Sequence, residues 1–309
     1  MLINEGYDVA AVITQPDRPK GRGGKTAPPA VKIIAAEAGV PVYQPEKPAD
    51  IYDEINALGA DLCVTAAYGK ILKKRFLRVA RYGAVNVHAS LLPLYRGASP
   101  IHQALLRGDR STGVTTMLMD AGIDTGAILM SEQIPIPAGM YFQELHDRLS
   151  GLGACLLKKT IPALVSGALE PTPQDDTKAT YAPVIQKSDG ELDFSLDAES
   201  LVNRIRAFSV WPGALARIGG KTVRIHRAVA GYGEPGAITG AGAFAGQAGA
   251  AAVVNAGTIA AAGAVAAVGR GALSIACGGG GLLNVTRLQF ENGRAMDISE
   301  CWHNLKSLL

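Results

Sequence analysis

The sequence predicts a doubly wound, mostly parallel α/β sheet followed by a small β-barrel. Three observations predict this fold class. Short apolar runs of strand type alternate with helical patterns up to about residue 168, which is the signature of βαβ units around a parallel sheet. Residues 171–189 are polar and rich in Asp, Thr and Pro, the composition of an inter-domain linker. Beyond them, alternation of period two runs from Ala214 to Val229 around Gly219-Gly220, a hairpin turn between short strands. The expected domains are 1–170, a linker over 171–200, and 201–309, the last carrying a Gly/Ala-rich insertion at about 235–280.

Each element has its own signal. Tyr7 to Thr14 is an apolar run of buried-strand type. Pro29 to Ala38 has the spacing of an amphipathic helix, Val40 to Pro45 that of a short strand and turn, and Ala49 to Leu58 that of a second helix. Leu62 to Ala67 is a fully apolar strand that ends at Tyr68-Gly69-Lys70-Ile71. Gly83-Ala84-Val85 approaches Asn86 and His88 as another strand. Pro100 to Arg107 is a helix carrying His102, expected as a local packing or hydrogen-bonding residue. Thr112 to Met119 and Ala127 to Ser131 are strands, and Tyr141 to Gly167 is one long helix or a helix pair. In the second half, Leu196 to Phe208 and Asp297 to Leu305 are helices and Leu282 to Phe290 is a strand. The Gly/Ala tract fits either a low-complexity insertion or strands of residues too small to carry a period.

Composition narrows the class. With 309 residues and 48% hydrophobic content, the chain can bury a sizeable core. No apolar stretch makes a convincing membrane span, and no charged-then-apolar leader opens the sequence. The four cysteines (Cys63, Cys155, Cys277 and Cys301) are scattered without a Cys-x-x-Cys pair. Neither a zinc site nor a disulfide framework is suggested, and a reducing cytoplasm fits. Net charge is +3, but residues 201–309 hold ten Lys/Arg against four acids. A basic second domain suits a polyanion. Arg18, Lys20, Arg22 and Lys25 form a second basic cluster, in a loop with Pro19 and three glycines, which suits phosphate contact. Gly24-Lys25-Thr26 is not a P-loop, because the position of its first glycine is Pro19.

The candidate site is Asn86-Val-His-Ala-Ser-Leu-Leu-Pro-Leu-Tyr-Arg-Gly97. Alternate side chains of a strand face one side, so Asn86 and His88 project together. A strand that ends in His and opens into a Gly/Pro loop is a usual place for a site in an α/β protein. Further on, Met119-Asp-Ala-Gly-Ile-Asp-Thr-Gly126 puts Asp124 among turn-forming glycines at the mouth of the next strand. Asn86, His88 and Asp124 supply an oxyanion donor, a proton carrier and a carboxylate that orients the imidazole.

His88-x-Ser-Leu-Leu-Pro-x-x-Arg-Gly97, with Asn86 before it and Asp-x-Gly-x-Asp124-Thr-Gly after it, resembles the folate-dependent formyltransferases. Thr14-Gln-Pro-Asp-Arg-Pro-Lys-Gly-Arg-Gly23 and Phe208-Ser-Val-Trp-Pro212 are similar to the branch that formylates methionyl-tRNA. The similarity runs from about Asn4 to about Ala230 and resumes near Gly281. It begins at what is the family's second strand, so the first strand and most of the first helix are expected to be missing. The resemblance implies a Rossmann-like catalytic domain and an OB-like tRNA-binding domain. It implies formyl transfer from 10-formyltetrahydrofolate to the amine of methionine on initiator tRNA, by a monomer and without a metal. Catalysis falls to Asn86, His88 and Asp124. Tyr68, Gly69 and Ile71 help to form the folate pocket, and Ser90, Leu91, Leu92 and Pro93 hold folate or the Met ester by backbone groups. Arg18, Lys20, Arg22 and Lys25 meet the acceptor end of the tRNA, with Arg22 leading. Arg96 pairs either with a phosphate or carboxylate of substrate or with a structural partner. Three alternatives stand beside this reading: an amino-sugar nucleotide as acceptor, a hydrolase that passes formyl to water, and a truncated folate- or RNA-binding protein without turnover.

Overall fold

The computed structural model describes residues 1–19, 26–231 and 262–305. They divide into two units. The first comprises Met1–Pro100, Thr112–Ile134 and Asp147–Ala182, and the second Ile101–Ser111, Pro135–His146 and Pro183–Leu309.

The first unit opens with β1 (Val12–Ile13), β2 (Arg18–Pro19), β3 (Thr26–Ala27), helix α1 (Ala30–Glu37), β4 (Val42–Tyr43) and α2 (Tyr52–Ala57). β1 pairs in parallel with β4, and β2 pairs antiparallel with β3. The expected strand from Tyr7 to Thr14 is thus reduced to two paired residues, because its ladder extends only as far as β4 does. A four-stranded sheet follows, in the order β5 (Cys63–Ala66), β6 (Ala84–His88), β8 (Ser111–Leu118), β9 (Ile128–Pro135). β5 and β6 are parallel, and β6 and β8 are antiparallel, so the sheet is mixed. α3 (Lys74–Leu77) lies between β5 and β6 in sequence, and β7 (Arg96–Gly97) and α4 (Pro100–Leu106) lie between β6 and β8.

Successive residues of β6 serve opposite faces, as the pleat requires. Ala84 belongs to a core with Ile55, Leu72, Phe76 and Leu77. Val85 belongs to another core with Leu129, Leu157 and Ile161, and the latter two come from α5 (Phe142–Val165). Val87 packs on that same side, where a Cβ added at Gly153 of α5 would stand 2.8 Å from a Val87 methyl. Asn86 and His88 therefore take the Ala84 side of the strand.

Residues 171–189, expected as a linker, are tied into the first unit as far as Ala182. Thr172 exchanges backbone hydrogen bonds with Ile128, and β10 (Tyr181–Ala182) pairs in parallel with β7. In the second unit α6 (Ala198–Ala207) starts at Asp197, whose carboxylate caps the helix by accepting from Ser200 N–H. The sheet of this unit runs β11 (Ala214–Ile218), β12 (Lys221–Gly231), β15 (Leu282–Phe290), β14 (Leu273–Ala276), β13 (Val265–Val268), with β16 (Ala295–Asp297) also on β15 and α7 (Ile298–Leu305) after it. The Gly219-Gly220 hairpin turn is present, both glycines having positive φ. β13 and β14 fall inside the Gly/Ala tract, so its described part includes two short strands. Residues 232–261, which include most of that tract, lie outside the described residues.

Candidate active site

β6 delivers His88 to the end of the sheet, 5% exposed. Its Nε2 lies 2.9 Å from the backbone oxygen of Tyr95. A carbonyl only accepts, so Nε2 carries the proton and donates. In the neutral ring, Nδ1 then keeps its lone pair, and it stands 3.6 Å from Asp124 Oδ2. Asn86 Nδ2 donates to Asp124 Oδ1 at 3.4 Å. The amide and the imidazole on one face of β6 thus both reach a single carboxylate. An imidazole nitrogen with a lone pair, a carboxylate and an amide with an N–H to spare are thus brought together.

Asp124 is held in a left-handed backbone conformation, φ +52°. Five bonds fix the loop around it. Gly97 N–H donates to its Oδ2 at 2.9 Å. Gln174 Nε2 donates to Asp124 O at 2.8 Å and to Gly126 O at 2.7 Å. Asp120 Oδ1 accepts from Gly122 N–H and from the Thr125 hydroxyl. Gly126 has no alternative residue, because a Cβ there would lie 1.7 Å from Leu118 O.

The loop 90–97 is closed on itself. The Ser90 hydroxyl donates to Leu94 O at 2.6 Å, and Ser90 is 0% exposed. Thr115 Oγ1 donates to Ser90 O and accepts from Leu92 N–H. Leu91 O and Pro93 O accept from Leu94 N–H and Thr180 N–H. Of the backbone groups expected to hold a ligand, Ser90 O, Leu91 O, Leu92 N–H and Pro93 O thus already have protein partners; Leu92 is buried, while Leu91 and Pro93 are half-buried. Arg96 is 2% exposed and turns inward, so of its two expected partners it takes the structural one. It donates to Gln174 Oε1 from Nε and Nη2 and pairs with Asp176 at 2.7 Å. Burial disfavours its charge, but the bonds to Asp176 and Tyr181 more than compensate and raise its pKa.

Tyr68, Gly69 and Ile71 lie on the loop after β5. The Tyr68 phenol is buried without a hydrogen-bond partner among the described residues, and burial raises its pKa. Its backbone oxygen accepts from Gln15 Nε2 at 2.7 Å. Gly69 has φ +71°, and the Ile71 side chain is 79% exposed. Lys70 donates to Pro45 O and Glu46 O, which joins this loop to the one after β4. Arg18 is exposed and donates to Gln15 Oε1, while Lys20, Arg22 and Lys25 lie outside the described residues. Beside Arg18, hydrogen bonds from Gln44 and Lys32 hold the Asp17 carboxyl below the usual carboxylate range.

Sequence reasoning missed Gln174, Thr180 and the Tyr95 carbonyl. Gln174 sits in a polar stretch with no periodic pattern, and a backbone carbonyl has no residue signature. Among the described residues, no group of three or more His, Cys, Asp or Glu gathers as a metal site. None of the described helices is long and apolar enough to cross a membrane.

Residues 2–161 match the family model described as "Formyl transferase", and 184–306 match "Formyl transferase, C-terminal domain". The chain belongs to the formyl transferase family. A relative from Citrifermentans bemidjiense, named methionyl-tRNA formyltransferase, is 42% identical over 304 residues, covering 97% of this chain and 86% of that protein. Among solved structures, the sugar 3N-formyl transferase WlaRD, determined in the presence of dTDP and 5-N-formyl-THF, aligns with a TM-score of 0.61 at 18% identity. That alignment covers 95% of this chain and 92% of WlaRD. HypX from Aquifex aeolicus, in complex with tetrahydrofolic acid, aligns at 0.58 and 15% identity, over 87% of this chain and 43% of HypX. These likenesses concern the fold. The family assignment fits the Rossmann-like reading of the first unit and the separate C-terminal domain.

Proposed function

We propose that the chain transfers the formyl group of 10-formyltetrahydrofolate to the α-amine of methionine carried on initiator tRNA. The observation that carries this reading is the convergence of Asn86 and His88 on Asp124, at 3.4 and 3.6 Å, in a chain of this family. The names of its relatives point to the acceptor.

The neutral amine attacks the formyl carbon and an oxyanion forms. The free N–H of Asn86 donates to it, a role worth roughly 3 kcal/mol of barrier. The amine loses its proton to Nδ1 of His88, whose other nitrogen is occupied by Tyr95 O. Asp124 stabilises the resulting imidazolium. The C–N bond to folate then breaks, and Nδ1 returns the proton to the departing nitrogen. Amine, formyl and proton balance without a further reactant. Tyr68, Gly69 and Ile71 line the folate side, with an exposed apolar Ile71 available to it. Ser90, Leu91, Leu92 and Pro93 form the floor that presents His88, and hold ligand only through the capacity that their internal bonds leave. Arg18, Lys20, Arg22 and Lys25 meet tRNA phosphates, and the basic stretch 201–309 adds to the same attraction. Residues 1–170 act as the catalytic domain and 201–309 as the tRNA-binding domain of a cytoplasmic monomer.

The test supplies the purified chain with 10-formyltetrahydrofolate and one acceptor at a time. Formylmethionyl-tRNA is the expected product. Formyl appearing on a dTDP-amino sugar but never on tRNA rejects the acceptor. Release of formate alone makes the chain a hydrolase, and binding of both substrates without product rejects turnover.

A further inference from the structure

We propose that Gln174 is a positioning residue that sets the Asp124 carboxylate against Asn86 and His88, and that the segment 172–182 is the strap that carries it. The inference rests on the reading of Asp124 as a group of the formyl-transfer site.

The Gln174 amide is saturated on both sides. Its nitrogen spends both N–H groups, on Asp124 O at 2.8 Å and Gly126 O at 2.7 Å. Its oxygen accepts twice from Arg96, at 3.0 and 2.8 Å. An arginine only donates and a carbonyl only accepts, so the orientation of the amide is dictated by its partners. Glutamate fits the arginine but has no hydrogen for the carbonyls. Methionine fits the space and bonds to neither. Only an amide of this length bridges the two.

What the bridge holds is strained. Asp124 is a non-glycine residue at φ +52°, a conformation that persists only where the surroundings over-determine it. Gln174 grips the backbone at the strained residue itself and again two residues further on, at the carbonyls of 124 and 126. The same segment grips the side chain as well. Thr180 and Ala182 accept from Arg96 N–H and Ala98 N–H, and so fix Gly97, whose own N–H donates to Asp124 Oδ2. Thr172, at the other end, is bonded to Ile128 just past the loop. A single strap thus fixes Asp124 from the backbone side and from the carboxylate side. Arg96, buried and anchored to Asp176, is the fixed point from which the amide is hung. None of this touches substrate; it acts through Asp124.

The test uses Gln174→Glu, which keeps the Arg96 partner and loses both donated bonds, and Gln174→Met, which loses all four. Both are expected to lower kcat about 10- to 100-fold, since a small misplacement of a reacting group is felt on that scale. KM for each substrate is expected to stay within about threefold, because the binding surfaces are untouched. Backbone amides of residues 119–127 exchange faster in both variants. In an Asp124→Ala background, Gln174→Met costs less than about twofold more, as two residues acting through one group are not additive. Unchanged kcat in Gln174→Glu overturns the proposal, as does unchanged exchange in residues 119–127. Losses that multiply in full with Asp124→Ala also overturn it, by giving Gln174 a different route. Should Gln174→Met fail to fold, Gln174→Glu alone decides. If the unmodified chain formylates no tRNA, the functional reading fails, and the exchange comparison still decides whether Gln174 positions the loop.

Discussion

Losing the Asn86 amide removes the long 3.4 Å bond to Asp124 Oδ1 together with the N–H offered to the oxyanion, and leaves the other bonds of the site intact. Asp124 keeps Gly97 and Gln174, and His88 keeps Tyr95. Asn86→Ala is therefore expected to lower kcat about 100- to 1,000-fold, the range for one oxyanion donor. Thermal unfolding shows little change. Steady-state formylation with a parallel melting curve checks both, and a loss confined to KM counts against the oxyanion role. The sequence made Asn86 and His88 legible because the period of a strand is exact, so a spacing of two fixes a shared side. Asp124 was legible through the glycines that let its loop turn. Gln174 was not, since its partners at 96, 124 and 126 are distant in sequence and no local pattern announces them. The inward bond of the Ser90 hydroxyl to Leu94 O was equally hidden, since its acceptor is a backbone carbonyl with no residue signature.

Between β8 and β9 the chain must reverse without a side chain at Gly126. The clash predicted for a methyl there is with Leu118 O, a backbone atom of β8 that cannot rotate away. Gly126→Ala is expected to cost about 2–3 kcal/mol, as overpacked sites do, and to lose activity as the Asp124 loop shifts. Gly139 offers the control, with nothing within 4 Å of an added Cβ. Gly139→Ala should stay within about 0.5 kcal/mol. Urea unfolding of the two variants compares them, and equal stability means that the turn adapts. Elements were legible in proportion to their periodicity. The long helix expected from Tyr141 to Gly167 is Phe142–Val165. The short strands were not, because pairing depends on neighbours: among the described residues the apolar run ending at Thr14 has strand partners only at Val42 and Tyr43. Val265–Val268 and Leu273–Ala276 were hidden for another reason: nearly every residue in them is buried, so neither carries an apolar–polar alternation.

Over the whole molecule, charge and burial make two opposite demands on pH and salt. The excess of Lys/Arg beyond residue 200 favours a polyanion, so KM for tRNA should rise steeply with salt. Arg217→Ala or Lys221→Ala, both at exposed positions, should lower the logarithmic slope by about one each; an unchanged slope removes that surface from the tRNA path. The same concentration of positive charge bears on stability through His226. Burial lowers its pKa, and Arg224 and Arg287 push the same way, against the bond that its Nε2 makes to Gln289 Oε1 at 3.1 Å. His102, packed against Phe142 at 4.2 Å between ring centres, is likewise lowered by burial, against a backbone bond to Trp211. Both rings take a proton more readily once the chain unfolds, where histidine titrates near about 6.5. Below that pH the unfolded state binds more protons than the native one, so stability falls as the solution is acidified, until the native rings titrate in turn. Their contribution is fully present above about pH 7 and shrinks towards pH 5. Melting temperatures measured across that window should fall, and His226→Gln, which keeps a polar group opposite Gln289, should give a shallower fall. It should not abolish the trend, because His102 contributes with the same sign. Parallel curves for the two proteins would mean that the ring on β12 is as easily charged in the native state as in the unfolded one.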